Sequence, residues 1–223
     1  MPQLLDDPVS TPRLARHTCR FCDHLTTGTS ESLSWHVVAE TDRLVAVPSV
    51  GALVPGWLLL IPKTHALNLA EFAAGAQTTL EHEIETIARR WEAVFGPLTW
   101  FEHGPVRPGT PTGCSIDHAH LHLVPLGSLD LLQQTKAQFP ELSLASVENF
   151  CTSLRTVVDS DRPYLYLRTA DSKSWLAVDS RIPSQAFRAV IANEQGRPDE
   201  YDWKRFPQRS VTQKTIERAL TAS

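Results

Sequence analysis

Three histidines at every second position constrain this chain more than any other feature. His118, His120 and His122 stand in the stretch from Gly113 to Val124, GCSIDHAHLHLV. A strand sends successive side chains to opposite faces. Read as a strand, the stretch puts the three imidazoles on one face and Ala119, Leu121 and Leu123 on the other, buried one. A helix would scatter the rings around its axis, and a loop has no use for the apolar alternation. A neutral imidazole is a good nucleophile toward phosphorus near neutral pH, and its neighbours can hold an anion and supply protons. The alternative is a histidine-rich sheet face or a metal-binding tract.

The chain has 223 residues, enough for one sizeable core or a domain with an appendage. Its 42% hydrophobic and 21% charged residues are ordinary for a globular protein. A net charge of -4 shows no basic footprint for duplex nucleic acid. No basic N-terminal segment leads into an apolar run, and no stretch is apolar for long enough to span a bilayer. The expectation is a soluble cytoplasmic protein with neither a membrane nor duplex nucleic acid as partner. In that compartment Cys19 and Cys22 read as a metal pair rather than a disulfide, and Cys114 and Cys151 as small buried side chains. C-x-x-C is shared by redox and zinc sites. A redox motif is expected to open a helix after a strand, which the sequence does not suggest here, and zinc needs two more ligands.

Residues 1–16, rich in Pro, Asp and Ser, read as a poorly ordered arm. Residues 34–40 and 43–48 read as a hairpin, Ser49 to Gly56 as a loop, and Trp57 to Pro62 as a buried strand followed by Lys63-Thr64-His65. Leu69, Phe72, Leu80, Ile84, Ile87, Trp91 and Val94 predict an amphipathic helix from about Asn68 to Phe95, with Gly75 as a candidate interruption. Leu98 to Glu102 reads as a strand, 129–137 and 144–157 as helices, and 164–168 with 174–179 as a second hairpin. Pro183 to Asn193 reads as a helix capped by Ser184, Asp202 to Pro207 as an aromatic-basic loop, and Thr212 to Leu220 as a last helix. The fold class is α+β. The expected division is the arm 1–16, a core 17–128 and an extension 129–223 with too little apolar mass to fold alone, so that it packs on the core.

HAHLHLV resembles the His-φ-His-φ-His-φ-φ signature of the histidine-triad (HIT) superfamily of nucleotide hydrolases and transferases. Gly113 to Asp117 is similar to the lead-in of the corresponding motif in galactose-phosphate uridylyltransferase. That enzyme and the dinucleotide phosphorylases carry glutamine at the third position; this chain has His122, as the hydrolase branches do. The hairpin, Pro-Gly loop, central strand and Pro-Lys-x-His of residues 34–65 resemble the first half of HIT domains.

The resemblance implies a HIT-like antiparallel sheet with a long packing helix, to which this chain adds a C-terminal αβ extension. It implies that His120 attacks an α-phosphorus to form a nucleotidyl-histidine, and that His122 and Ser115 hydrogen-bond the phosphoryl oxygens. It implies a structural zinc held by Cys19, Cys22, His65 and His118. His24 is a rival ligand, and without zinc His65 would cap the helix entry. Ser49 stands where the family often has an aspartate that binds ribose hydroxyls. Glu102 or His103 faces the phosphate site or, equally, ends a strand in solvent. Gln185, Arg188, Lys204 and Arg205 are candidates for touching a phosphate or leaving group. The implied substrates are nucleotide phosphoesters, phosphoanhydrides or phosphoramidates. The alternatives are transfer to an acceptor other than water, or nucleotide binding with little turnover. Homodimers are common in the family.

Overall fold

Eight antiparallel strands form one sheet among the described residues, which in this computed structural model are 19–27, 35–74, 77–113 and 116–221. The strands are β1 (Ala39–Glu40), β2 (Leu44–Pro48), β3 (Leu58–Pro62), β4 (Thr99–Gly104), β5 (Leu121–Val124), β6 (Ala145–Val147), β7 (Tyr164–Arg168) and β8 (Ser174–Val178). Their spatial order is β1-β2-β3-β5-β4-β7-β8-β6. The helices are α1 (Arg20–Thr27), α2 (Leu69–Ala73), α3 (Gln77–Phe95), α4 (Leu131–Gln138), α5 (Phe150–Arg155), α6 (Ala186–Glu194) and α7 (Arg209–Thr221).

Side-chain parity sorts the sheet into two apolar layers. Leu58, Leu60, Leu121, Leu123 and Trp100 face α2, α3 and α5, where Leu80, Ile84, Ile87 and Trp91 form the stripe expected of the long helix. Leu59, Phe101, Leu165 and Leu167 face the opposite way, against Leu131 of α4, Phe187 and Ile191 of α6 and Phe21 of α1. Each such side chain taken from water contributes roughly 1.5–3 kcal/mol, so both layers hold the sheet. β5 lies in the middle, its Leu59↔His122 and Phe101↔His122 registers locking it between β3 and β4. The extension continues this sheet: β7 pairs with β4 from Trp100↔Arg168 to Gly104↔Tyr164.

Several boundaries differ from expectation for identifiable reasons. The helix from Asn68 to Phe95 is two helices; the Asn68 side chain accepts from Glu71 N–H and caps the first, while Gly75 lies outside the described residues. The single helix read over 144–157 is β6 followed by α5. Asn149 caps α5 by accepting from Thr152 N–H, and Ala145–Val147 instead pair with the edge of β8. Tertiary pairing overrides a weak helical pattern here. Ser184 does not cap α6; that place belongs to Gln185, in the left-handed region at φ 56°, with no side-chain cap bond. Cys19-x-x-Cys22 does open a helix, α1, which the sequence does not suggest. The arm 1–16 lies outside the described residues.

Candidate active site and metal centre

Regular pairing of the histidine stretch starts only at Leu121, so His118 and His120 lie in an irregular lead-in rather than on the strand itself. The lead-in is still pinned: Ala119 N–H donates to Ala66 O at 2.7 Å. The alternation survives the loss of pairing. Ala119, Leu121 and Leu123 enter the layer under α3, and the three imidazoles turn to the other face, all of them buried. The His120 and His122 rings are 5.0 Å apart, and Phe21 meets His120 edge-on at 5.9 Å.

Hydrogen-bond partners dictate where each ring carries its proton. His120 Nδ1 lies 2.8 Å from His118 O. A carbonyl only accepts, so Nδ1 holds the hydrogen and Nε2 keeps its lone pair. His122 Nδ1 lies 2.9 Å from Trp57 Nε1, which only donates. The neutral His122 ring therefore carries its hydrogen on Nε2, a buried atom with no hydrogen-bond partner among the described residues. In His103, Nε2 accepts from Phe187 N–H at 3.3 Å, leaving a buried Nδ1–H. Burial, and then neighbouring imidazoles and Arg188, push His103 down to about 3 and His122 well below the usual histidine range. Burial lowers His120 as well, against the opposing effect of the His118 carbonyl. All three rings are thus held neutral near pH 7.

His120 and His122 line a cleft enclosing about 60 Å³, with Phe21, Ser49, Ile116, Arg188 and Trp203 in its walls. Ser49 Oγ donates to Val50 O at 3.2 Å. Arg188 is buried, donates from Nε to Tyr201 O at 3.0 Å and from Nη2 to Gly51 O, and lies 4.7 Å over the Trp57 ring. Gln185 is not among the described lining residues; its Oε1 accepts from Trp203 N–H at 3.4 Å and so supports the wall. Lys204 and Arg205 are exposed and not among the described lining residues either. Their loop contributes Trp203 instead.

Glu102 corrects the sequence reading on both counts, since it faces neither the cleft nor solvent. It is buried in the opposite layer, accepting from Tyr164 Oη at 2.6 Å and Leu69 N–H at 2.7 Å. Desolvation raises its carboxyl to about 8 despite those donors. His103, one residue on, lies on the histidine face, its ring 6.0 Å from that of His122. Ser115 and Cys114 lie outside the described residues, and Cys151 is buried as expected. Sequence reading missed Trp57, Phe21 and Trp203. An indole leading directly into the central strand was the available signal for the first, and the aromatic-basic loop for the last.

Beside the cleft, Cys19, Cys22, His65 and His118 bring four donor atoms within 4.8 Å of one another. Cys19 Sγ lies 3.2 Å from His118 Nδ1, and Cys22 Sγ 3.4 Å from His65 Nδ1 and 3.6 Å from His118 Nδ1. Ligands of a tetrahedral zinc with bonds of about 2.0–2.3 Å stand roughly 3.3–3.8 Å apart, which these three distances approach. His118 Nε2–H donates to Pro62 O at 2.9 Å, which leaves the Nδ1 lone pair for a metal. His24 stacks on Trp35 at 4.9 Å and is not part of the group.

Residues 31–128 match the HIT domain family. Over that span, less than half of the chain, it is similar to the HIT domain. Among curated proteins, Protein hit of Bacillus subtilis is 30% identical over 88 residues, 40% of this chain and 59% of that relative. The chain therefore spans less than two thirds of that relative's length. Among solved structures, a HIT family hydrolase from Clostridium thermocellum aligns at 21% identity and a TM-score of 0.38, covering 52% of this chain and 95% of its own. A HIT-like protein involved in cell-cycle regulation from Bartonella henselae, solved with an unknown ligand, aligns at 20% identity and a TM-score of 0.36, covering 48% and 79%. The HIT segment supplies the three histidines, Trp57 and His65. Cys19, Cys22, Phe21, Arg188 and Trp203 come from outside it. No helix among the described residues is long and apolar enough to cross a membrane.

Proposed function

We propose that this protein is a HIT-type hydrolase of nucleotide-like phosphoesters, phosphoanhydrides or phosphoramidates, acting through a nucleotidyl-His120 intermediate. One observation carries the reading: His120 presents a lone pair on Nε2 and His122 an N–H on Nε2, both in rings that line one cleft. Attack forms a bond from His120 Nε2 to the α-phosphorus. The bond from phosphorus to the leaving atom breaks and its electron pair stays with that atom; a phosphate departs as the anion, while an amine or alkoxide takes up a proton from solvent. Water then attacks phosphorus and loses a proton, and the P–N pair returns to His120. Charge spread over the non-bridging oxygens in both steps meets the His122 donor and the buried Arg188 guanidinium. Ser115 is proposed as a further donor to those oxygens. Ser49 is proposed to meet one sugar hydroxyl, and His103 to support His122.

Zinc is the ion that the Cys2His2 set fits, and when bound it supplies a cross-link between α1, the entry to α2 and the histidine lead-in. The proposed setting is the reducing cytoplasm, where Cys19 and Cys22 stay available as thiolate ligands. The test is to quench a reaction with α-labelled nucleotide in alkaline detergent and look for label on the protein. Label is expected on the wild-type chain and absent from His120→Ala; label that persists in that variant defeats the proposal. Product analysis with and without added phosphate or sugar phosphate separates hydrolysis from transfer.

A further inference from the structure

The cleft carries more positive charge than the attacked phosphoryl group needs. Its described lining includes two guanidiniums, Arg20 and Arg188, and no carboxylate. Arg188 is buried beside the histidines and committed to backbone carbonyls on two loops. Arg20 is different. Its side chain is exposed at the mouth of the cleft, and among the described residues it makes no hydrogen bond or ion pair. In sequence it sits between Cys19 and Cys22, so the four-donor group fixes the first turn of α1 from which it projects. Phe21, the next residue, packs on Trp35 and on the edge of His120, aligning that turn with the cleft.

We propose that Arg20 is the contact for a negatively charged leaving group, and that the metal site, by docking α1, builds this half of the ligand cleft. This rests on the hydrolase reading above and narrows its substrate class. A ligand charged only at the phosphorus under attack is served by His122 and Arg188. A second guanidinium, further out and without another partner among the described residues, has a role when the departing group is itself a phosphate. The chemistry is then cleavage of a phosphoanhydride, in which the bridging oxygen leaves with the electron pair of the broken P–O bond and Arg20 offsets its charge. A phosphoramidate, whose amine departs neutral after protonation, gains nothing from Arg20.

Calorimetry with adenosine diphosphate and adenosine monophosphate on the full metal-loaded chain tests this directly. Wild type is expected to bind the diphosphate about tenfold more tightly, as a charge-assisted contact would give. Arg20→Ala is expected to reduce that ratio to about twofold while leaving monophosphate affinity within about twofold. In turnover, Arg20→Ala should lower kcat/KM for a diadenosine polyphosphate about tenfold and for adenosine 5′-phosphoramidate less than twofold. Removing the ion from the wild-type chain with a chelator should reproduce the Arg20→Ala binding ratio and speed amide exchange in residues 19–27, with the sheet still protected. A diphosphate preference unchanged in Arg20→Ala, equal losses on both substrates, or a stripped protein that keeps both its preference and its α1 protection overturns the proposal. Failure of the hydrolase reading would show separately, as absence of labelled His120, while the binding ratio still reports on Arg20.

Discussion

Trp57 Nε1 donates to His122 Nδ1 at 2.9 Å, so an indole one residue ahead of β3 decides which nitrogen of the third histidine carries the proton. That choice makes His122 a fixed donor toward the cleft rather than a second base. Trp57→Phe keeps an aromatic ring in the core but removes the N–H. We expect kcat to fall about 10- to 100-fold, in line with the loss of one preorganised donor, and stability to fall by about 1–3 kcal/mol. Nitrogen chemical shifts of the His122 ring should move from a single tautomer to a mixture. A kcat within about twofold of wild type would remove His122 from the proposed role.

Gly51 holds the far wall in place. Its φ is +71°, its N–H donates to Pro207 O at 2.8 Å, and a Cβ built there would lie 2.5 Å from Trp203 Cβ and 2.8 Å from Trp203 Cα. Gly51→Ala therefore strains the backbone and displaces the 202–207 loop. The expected cost is about 1–3 kcal/mol in denaturant melts. Adenosine monophosphate should also bind more weakly, because Trp203 leaves the cleft. Unchanged affinity would mean that Trp203 does not contact the ligand.

Glu102 makes the fold sensitive to pH without being part of the cleft. Burial raises its carboxyl from 4.5 to about 8, so between these values the folded chain holds a proton that the unfolded chain has released. The contribution of Glu102 to stability then falls as pH rises through this window, by about 5 kcal/mol at most. The urea midpoint of wild type relative to that of Glu102→Gln should fall from pH 5 to pH 8, because both chains share the opposite contribution of the buried histidines, whose lowered values favour the folded state as pH rises. A difference between the two chains that does not change with pH would show Glu102 ionised in the folded state.

The donor geometry separates the proposed metal ligands from their neighbour. His65→Ala and Cys19→Ser should each abolish tight binding of about one zinc per chain, because three remaining donors no longer close a tetrahedron. His24→Ala should leave the bound metal unchanged, since that ring stacks on Trp35. Metal analysis after dialysis checks both. Loss of zinc in His24→Ala would place the ion elsewhere.

Much of the fold could be read from local pattern. The stripe from Leu80 to Trp91, the buried run of β3 and the two hairpins come from periodicities that a helix or strand imposes on its own residues. Patterns without a partner to define them misled. Ala145 to Val147 became a strand only because the edge of β8 was free to pair, and Cys19-x-x-Cys22 opened a helix that its own residues did not suggest.

The sequence by itself determined the alternation of His118, His120 and His122 with apolar residues, since strand-like backbone turns every second side chain the same way whatever lies beside it. It also held, in the Cys-x-x-Cys pair and the two histidines far along the chain, the donor types of a metal group. Only the tertiary structure decided which of Glu102 and His103 shares the histidine face. The Phe101↔His122 register puts Phe101 on that face, hence His103 with it and Glu102 on the other. Tertiary structure alone also brought Trp57 to His122, and Arg188 and Trp203 to the cleft, from positions 65 or more residues away along the chain. Proton placement and pocket walls are set by contacts between elements, and those depend on register and packing that no local periodicity encodes.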